Sequence, residues 1–201
     1  MEAFNKAQSA DEPFPYFLVN PFIDPAAMTE ILEDFPAIEQ GGSFPATSQN
    51  TQGALAELLK ELESDELRES VGKKFNIDLS NRSPMMTLRG YSRAKDGEIH
   101  TDSKSKCVTF LIYLNPEWEA ETGRLRLLYS GDALTPYAAE VPPTFGSTVV
   151  FKVTDNCWHG YEPFAGVRRS IQLNYMMSQA KANRYMRLHK ISAWFKKLLS
   201  S

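Results

Sequence analysis

Cysteine and histidine are scarce in this 201-residue chain, which has two of the first and three of the second. Two cysteines, Cys107 and Cys157, build no disulfide framework, so a small cross-linked scaffold is excluded and a reducing, cytoplasmic setting is expected. Sequence alone does not fix whether the two pair. No apolar run approaches the ~18 residues that a membrane span needs. The first residues, MEAFNKAQSADEPF, lack a basic stretch followed by an apolar one, so no signal peptide is expected. Excess positive charge is also missing: the net charge is -3, and no nucleic-acid partner is expected. There is no internal repeat and no low-complexity segment. What is present is ordinary globular composition, 42% hydrophobic and 23% charged, in a length that suits one domain with a real core.

The chain reads as a single domain, 1–201, in three parts. Residues 1–83 are expected to be mainly helical. Asp24-Pro25 is a helix start, with an acceptor at the cap and proline at the first helical position. Met28, Ile31, Leu32 and Phe35 follow at helical spacing, and Pro36 ends the run. A Gly/Ser/Asn/Thr-rich loop is expected over 41–53. Leu55, Leu58, Leu59 and Leu62 form a second stripe, and a third short helix is expected at about 65–75. Residues 84–178 are strand-rich. Met85–Tyr91, Cys107–Leu114, Leu125–Tyr129, Ser147–Val153 and Arg169–Met177 are short, β-branched or aromatic, and bounded by turn residues. Such spacing suggests a sandwich or barrel. Residues 179–201 read as a basic amphipathic helix with the stripe Tyr185, Leu188, Ile191, Phe195 and Leu198. From residue 180 on there are six cations and no acid, which leaves 1–179 at -9.

Of the three histidines, His189 falls in that basic tail and reads as a surface residue. The other two have candidate partners. His100-Thr101-Asp102 is an H-x-D triplet, and on a strand residues i and i+2 share a face. An imidazole and a carboxylate would then converge, with His159 able to join from a neighbouring strand. Two histidines and one carboxylate leave metal positions open, as in non-haem iron(II) sites, whereas a closed structural zinc site wants a fourth protein ligand. By itself the triplet describes a surface turn equally well. Arg168, nine residues past His159, adds to it. Arg168, Ser170, Gln172 and Asn174 share one face of the last strand, while Ile171, Leu173 and Tyr175 share the other. A polar face with an arginine suits a carboxylate-binding pocket, because guanidinium pairs bidentately with carboxylate. The other reading of that face is the solvated side of an edge strand.

The segments HTDSKSKCVTFLIYLNPEW, TGRLRLLY and TVVFKVTDNCWHGYEPFAGVRRSIQLNYM together resemble the Fe(II)/2-oxoglutarate-dependent dioxygenases, most closely the prolyl-4-hydroxylase-type branch. The resemblance implies a mainly β fold with flanking helices: a double-stranded β-helix, or jelly-roll, cupin-like barrel, buttressed by the N-terminal helices and followed by a C-terminal helix. It implies that His100, Asp102 and His159 are the catalytic iron ligands. It implies that Arg168 pairs with the distal carboxylate of 2-oxoglutarate, with Ser170 beside it and Tyr113 hydrogen-bonding the same group. Tyr91 matches a tyrosine near metal and co-substrate, and equally reads as a core aromatic. Arg169 is the alternative to Arg168, and strand parity favours Arg168. The chain departs from the family's paired glycines at Gly123-Arg124, which bears on the pocket rim.

The same resemblance implies Fe(II), 2-oxoglutarate and dioxygen as the reaction's requirements, with ascorbate a candidate reductant. It also implies release of succinate and carbon dioxide. With Asp102 present, hydroxylation of an unactivated C–H bond is expected rather than halogenation. The substrate, small-molecule or peptidyl, is not legible. Arg89, Arg93, Lys95, Lys104, Lys106, Arg124 and Arg126 suggest either an anionic substrate or a solvated rim. The tail at 180–201 is expected to pack on the barrel, with docking to an anionic membrane surface or a partner as the alternative. Two rival functions are a cupin-like metalloenzyme that does not use 2-oxoglutarate and a non-catalytic jelly-roll binding module. Oligomeric state is not legible.

Overall fold

The computed structural model describes residues 2–177; the expected helix at 179–199, and His189 with it, lies outside the described residues. The chain opens with α1 (Glu2–Lys6), β1 (Ser9–Ala10) and β2 (Tyr16–Val19). A 3₁₀ turn at Pro25–Ala27 leads into α2 (Met28–Glu33), followed by β3 (Phe44–Pro45), α3 (Gly53–Leu62) and α4 (Asp65–Phe75). The strands β4 (Pro84–Ser92), β5 (Lys106–Tyr113), β6 (Leu125–Leu128), β7 (Tyr137–Val141), β8 (Thr148–Lys152), β9 (His159–Gly160) and β10 (Gly166–Met176) complete it.

The helical stops and starts follow the expected chemistry. Asp24 accepts from the Ala26 amide at 3.0 Å, and Pro25 opens the turn. Ser64 caps α4 by accepting from Leu67 N at 3.3 Å. Asn76 ends that helix in the left-handed region at φ 49, a role Asn tolerates.

The strands form a seven-stranded sheet, β1-β2-β8-β5-β10-β4-β3, and a three-stranded sheet, β7-β6-β9. Every strand pairing in both is antiparallel. Strand alternation divides the core in two. Val108, Phe110, Ile112, Ile171 and Leu173 leave the large sheet on one side and join Leu55, Leu62 and Val71 of the helices in one buried cluster. Val149, Phe151 and Tyr113 leave it on the other side and meet Leu125, Leu127 and Val141 of the small sheet. The sheets therefore face each other as a jelly-roll-like barrel, and the helices buttress the large sheet from outside, as expected.

Several elements depart from expectation. The loop assigned to 41–53 contains β3, which pairs Phe44 with Leu88 and Pro45 with Thr87. Proline is tolerated there because β3 is an edge strand. Strands β1, β2, β7 and β9 were not expected: two are only two residues long, and Tyr137–Val141 carries two alanines, poor β-formers held here by cross-strand pairing. Cys157 is buried and forms no disulfide. Among the described residues, no helix is long and apolar enough to cross a membrane.

Candidate metal centre and carboxylate pocket

The H-x-D triplet sits where the chain passes from one sheet to the other. His100 is bridged to His159 at the end of the small sheet: His100 N donates to His159 O, and His159 N to His100 O, both at 3.0 Å. Asp102 is not in a strand, so the expected same-face geometry is replaced by a bridge followed by a short irregular crossing into β5. The outcome is nonetheless convergence. One donor atom from each of His100, Asp102 and His159 lies within 4.8 Å of the others.

The ring orientations are fixed by backbone carbonyls. His100 Nδ1 lies 2.8 Å from Glu98 O, and His159 Nδ1 lies 2.8 Å from Cys157 O. A carbonyl only accepts, so each Nδ1 carries the proton and each Nε2 keeps its lone pair for a metal. Burial, with smaller contributions from His100 and Lys106, lowers the His159 pKa to about 4 against the opposing pull of Asp102. The imidazole is neutral at pH 7, as a ligand must be.

Asp102 has a side chain only 7% exposed. Burial alone would raise its pKa; the Lys106 ammonium, His159 and hydrogen bonds from Lys106 and Thr109 outweigh it, so the carboxyl is held below its ordinary value. Lys106 Nζ lies 2.6 Å from Oδ1, and Thr109 Oγ1 lies 2.5 Å from Oδ2 and 3.0 Å from Asn174 Oδ1. Lys106 is thus a buried counter-ion and not a rim cation. The other expected rim cations are mostly committed too: Arg93 to Asp96, Lys104 to Asp155, and Arg126 to Glu140 and Glu162.

Two imidazoles and one carboxylate make a donor set that fits Fe(II) with open positions. No fourth Cys, His, Asp or Glu joins the cluster among the described residues, which sets it apart from a closed structural zinc site.

Beside the two histidines lies a cavity of about 110 Å³. Thr87, Arg89, Arg168, Ser170 and Gln172 line it, so the polar face expected for the last strand is the inner one. Arg168 is 2% exposed. Its Nε donates to Gly123 O at 2.9 Å and its Nη2 to Tyr113 Oη at 3.0 Å, while its guanidinium stacks on the rings of Tyr161 (4.1 Å) and Tyr113 (4.9 Å). Gly123 supplies that carbonyl at φ 78, and a Cβ there would reach Trp118 at 2.7 Å, so glycine is required whatever follows it. Arg169 does not line the cavity; its backbone is held by Leu114 and Asn115.

Tyr91 is half-buried, paired with Val167 and bridged to Gly41, and does not line the cavity. Arg89, two residues earlier on β4, does. Tyr161 escaped sequence reading. Its backbone N donates to Gly97 O at 2.9 Å, and its hydroxyl lies 2.8 Å from Ser92 Oγ. Its position two residues past His159 was the available signal. Thr109 was also missed as the partner of Asp102, and Asn174 as the partner of Thr109, although Asn174 had been placed on the polar face.

Comparison with known proteins bears on the fold. The family model for the 2OG-Fe(II) oxygenase superfamily matches residues 86–176. A prolyl-4-hydroxylase of Pseudomonas putida aligns with TM-score 0.57 at 18% identity, over 80% of this chain and 91% of that one. A viral collagen prolyl hydroxylase of Paramecium bursaria Chlorella virus-1, in a complex with 2OG, aligns at 0.56 and 13%, over 80% and 94%. A prolyl 4-hydroxylase from Phytophthora capsici aligns at 0.56 and 17%, over 80% of this chain and 58% of that one. At such identities the likeness shows the fold. No curated protein matches the chain by sequence. Fold and donor set together fit a non-haem iron oxygenase. The match to the 2OG-Fe(II) oxygenase superfamily over residues 86–176, together with the candidate donor set, supports an enzyme that depends on Fe(II) and 2-oxoglutarate.

Proposed function

We propose that the protein hydroxylates an unactivated C–H bond, with His100, Asp102 and His159 as the iron ligands and Arg168, Tyr113 and Ser170 as the seat of the distal carboxylate of 2-oxoglutarate. The observation that carries this reading is the joining of two features in one small cavity. His100 and His159 of the three-donor cluster line it, and so does Arg168, a buried guanidinium hydrogen-bonded to the buried Tyr113. The bound Fe(II) and 2-oxoglutarate supply the oxidising chemistry, with succinate and carbon dioxide as by-products. The chain's own groups bind and orient. Glu98 and Cys157 carbonyls aim the imidazoles, Lys106 and Thr109 aim the carboxylate, and Gly123 and Tyr113 aim Arg168. Walls of Leu111, Leu125 and Phe151 exclude water from between the two ends.

A cavity of about 110 Å³ is smaller than the ~300 Å³ at which ordinary ligand pockets begin, so it holds a co-substrate and not the substrate as well. The substrate is placed outside, on the side where His100 is exposed. The prolyl-hydroxylase resemblance favours a peptidyl substrate. Two cysteines are too few for a disulfide framework, which supports a cytoplasmic location. A cupin-like enzyme without 2-oxoglutarate, or a binding module, leaves the buried Arg168–Tyr113 pair without purpose. Anaerobic titration with Fe(II) and 2-oxoglutarate tests the reading. A weak visible charge-transfer band that saturates with co-substrate is expected. Asp102→Ala should lose iron-dependent turnover, and absence of the band in the unmodified protein would overturn the reading.

A further inference from the structure

The far end of the cavity carries more positive charge than one guanidinium supplies. Strand β10 lies between β5 and β4, and its register fixes what shares each cross-strand row. Asn174 faces Thr109 on one side and Met85 on the other. Gln172 faces Leu111 and Thr87, and Ser170 faces Tyr113 and Arg89. The Thr109 row touches Asp102 and is the metal end. The Tyr113–Ser170–Arg89 row lies two rows further on, each step about 7 Å along the strand. Arg89 therefore belongs to the same row as Tyr113 and Ser170, two of the three residues assigned above to the distal carboxylate.

The side chain of Arg89 is held loosely. Nη1 lies 3.4 Å from Tyr161 Oη, Nη2 lies 3.4 Å from Ser43 Oγ, and the nearest acid, Asp96, is 3.6 Å away. Asp96 is bound more closely by Arg93, at 2.8 Å, so its charge is divided between two guanidiniums. Arg168 and Arg89 both reach Tyr161, one over its ring and one at its hydroxyl. The Tyr113 hydroxyl reports the same cluster: burial raises its pKa, and both Arg168 and Arg89 draw it back down.

We propose that Arg89 is a second guanidinium for the distal carboxylate of 2-oxoglutarate, and that the chain owes its selectivity for a dicarboxylate co-substrate to Arg89 and Arg168 together. This rests on the placement of the co-substrate given under Proposed function. A substrate-binding role fits Arg89 less well, because its row is the one furthest from the metal end and the cavity has room for one small ligand only.

The test is anaerobic titration of the Fe(II)-loaded protein with 2-oxoglutarate and, in parallel, with 2-oxopentanoate. The second compound keeps the 2-oxo acid and the five-carbon chain but lacks the distal carboxylate. Arg89→Gln should weaken 2-oxoglutarate by about tenfold or more, the scale of one charge-assisted pair, and leave 2-oxopentanoate nearly unchanged. Arg89→Lys should recover part of the loss. Equal weakening of both compounds would mean a structural role and overturn the proposal, as would no change in either. Arg168→Gln separates the two readings. If it removes the preference for 2-oxoglutarate and Arg89→Gln does not, only the role of Arg89 falls. If neither variant alters the preference, the placement of the co-substrate falls with it.

Discussion

At the scale of single residues, the site is governed by how buried charge is compensated. Asp102 and Lys106 have side chains 7% and 4% exposed, and removing one partner of such a pair strands the other. Lys106→Met should destabilise the metal-free protein by about 3 kcal/mol in urea unfolding. Mn(II) should restore more stability to the variant than to the parent, since a divalent cation beside Asp102 replaces the lost charge. Equal gains would contradict this account. His159 predicts a pH dependence. Its folded pKa of about 4 lies below the ordinary value of 6.5, so between the two the unfolded chain holds the extra proton. The stabilisation from this residue is present above about pH 6.5 and is lost as pH falls toward 4, in total on the order of 3 kcal/mol. Chemical denaturation of the metal-free protein at pH 7 and pH 5 should show the drop, and His159→Gln should flatten it.

At the scale of elements, β10 and its neighbours decide the pocket. Gly123 sits at φ 78 with its carbonyl on Arg168, so Gly123→Ala strains the backbone and drives a methyl into Trp118. The variant should bind 2-oxoglutarate about tenfold more weakly in the same titration, with the Fe(II) affinity little changed. An unaltered co-substrate affinity would show that the carbonyl does not position Arg168. Much of this element was legible beforehand. Alternation in Arg168–Tyr175 told which residues face the cavity and chose Arg168 over Arg169, because a period of two leaves no third option. The convergence of His100 with Asp102 was legible too, but not its cause. The two-residue pairing of His100 with His159 is a long-range contact that local pattern does not encode. Arg89 and Tyr161 were hidden for a similar reason: each is one residue of an ordinary-looking run, and only the register across three strands brings them to Arg168. Tyr91, which equally read as a core aromatic, does not line the cavity, and Arg89 two residues earlier does.

At the scale of the whole molecule, the helices are part of the enzyme's core and not an appendage. The outer face of the large sheet presents Val108, Phe110, Ile112, Ile171 and Leu173, each fully buried under Phe4, Leu55, Leu62, Val71 and their neighbours. An excised segment 84–177 would leave that face bare and should fail to give dispersed amide resonances, aggregating instead. The helical pattern and the strand-rich run were readable at this scale, because periodicity changes from 3.6 to 2 near residue 84; the strands left sandwich and barrel open, and the jelly-roll barrel came from the family resemblance. The charge-rich surface near the site left an anionic substrate and a solvated rim both open in the sequence, and acids distant in sequence, such as Asp155 and Glu140, pair with its lysines and arginines. The crossing at His100–Asp102 has a mechanical corollary. Two donors hang from the rim of the small sheet and the third is lashed to Lys106 and Thr109 of the large one. A cation seated there is a clasp across the seam of the barrel, so loading should slow the parting of the two sheets and lengthen survival against thermolysin.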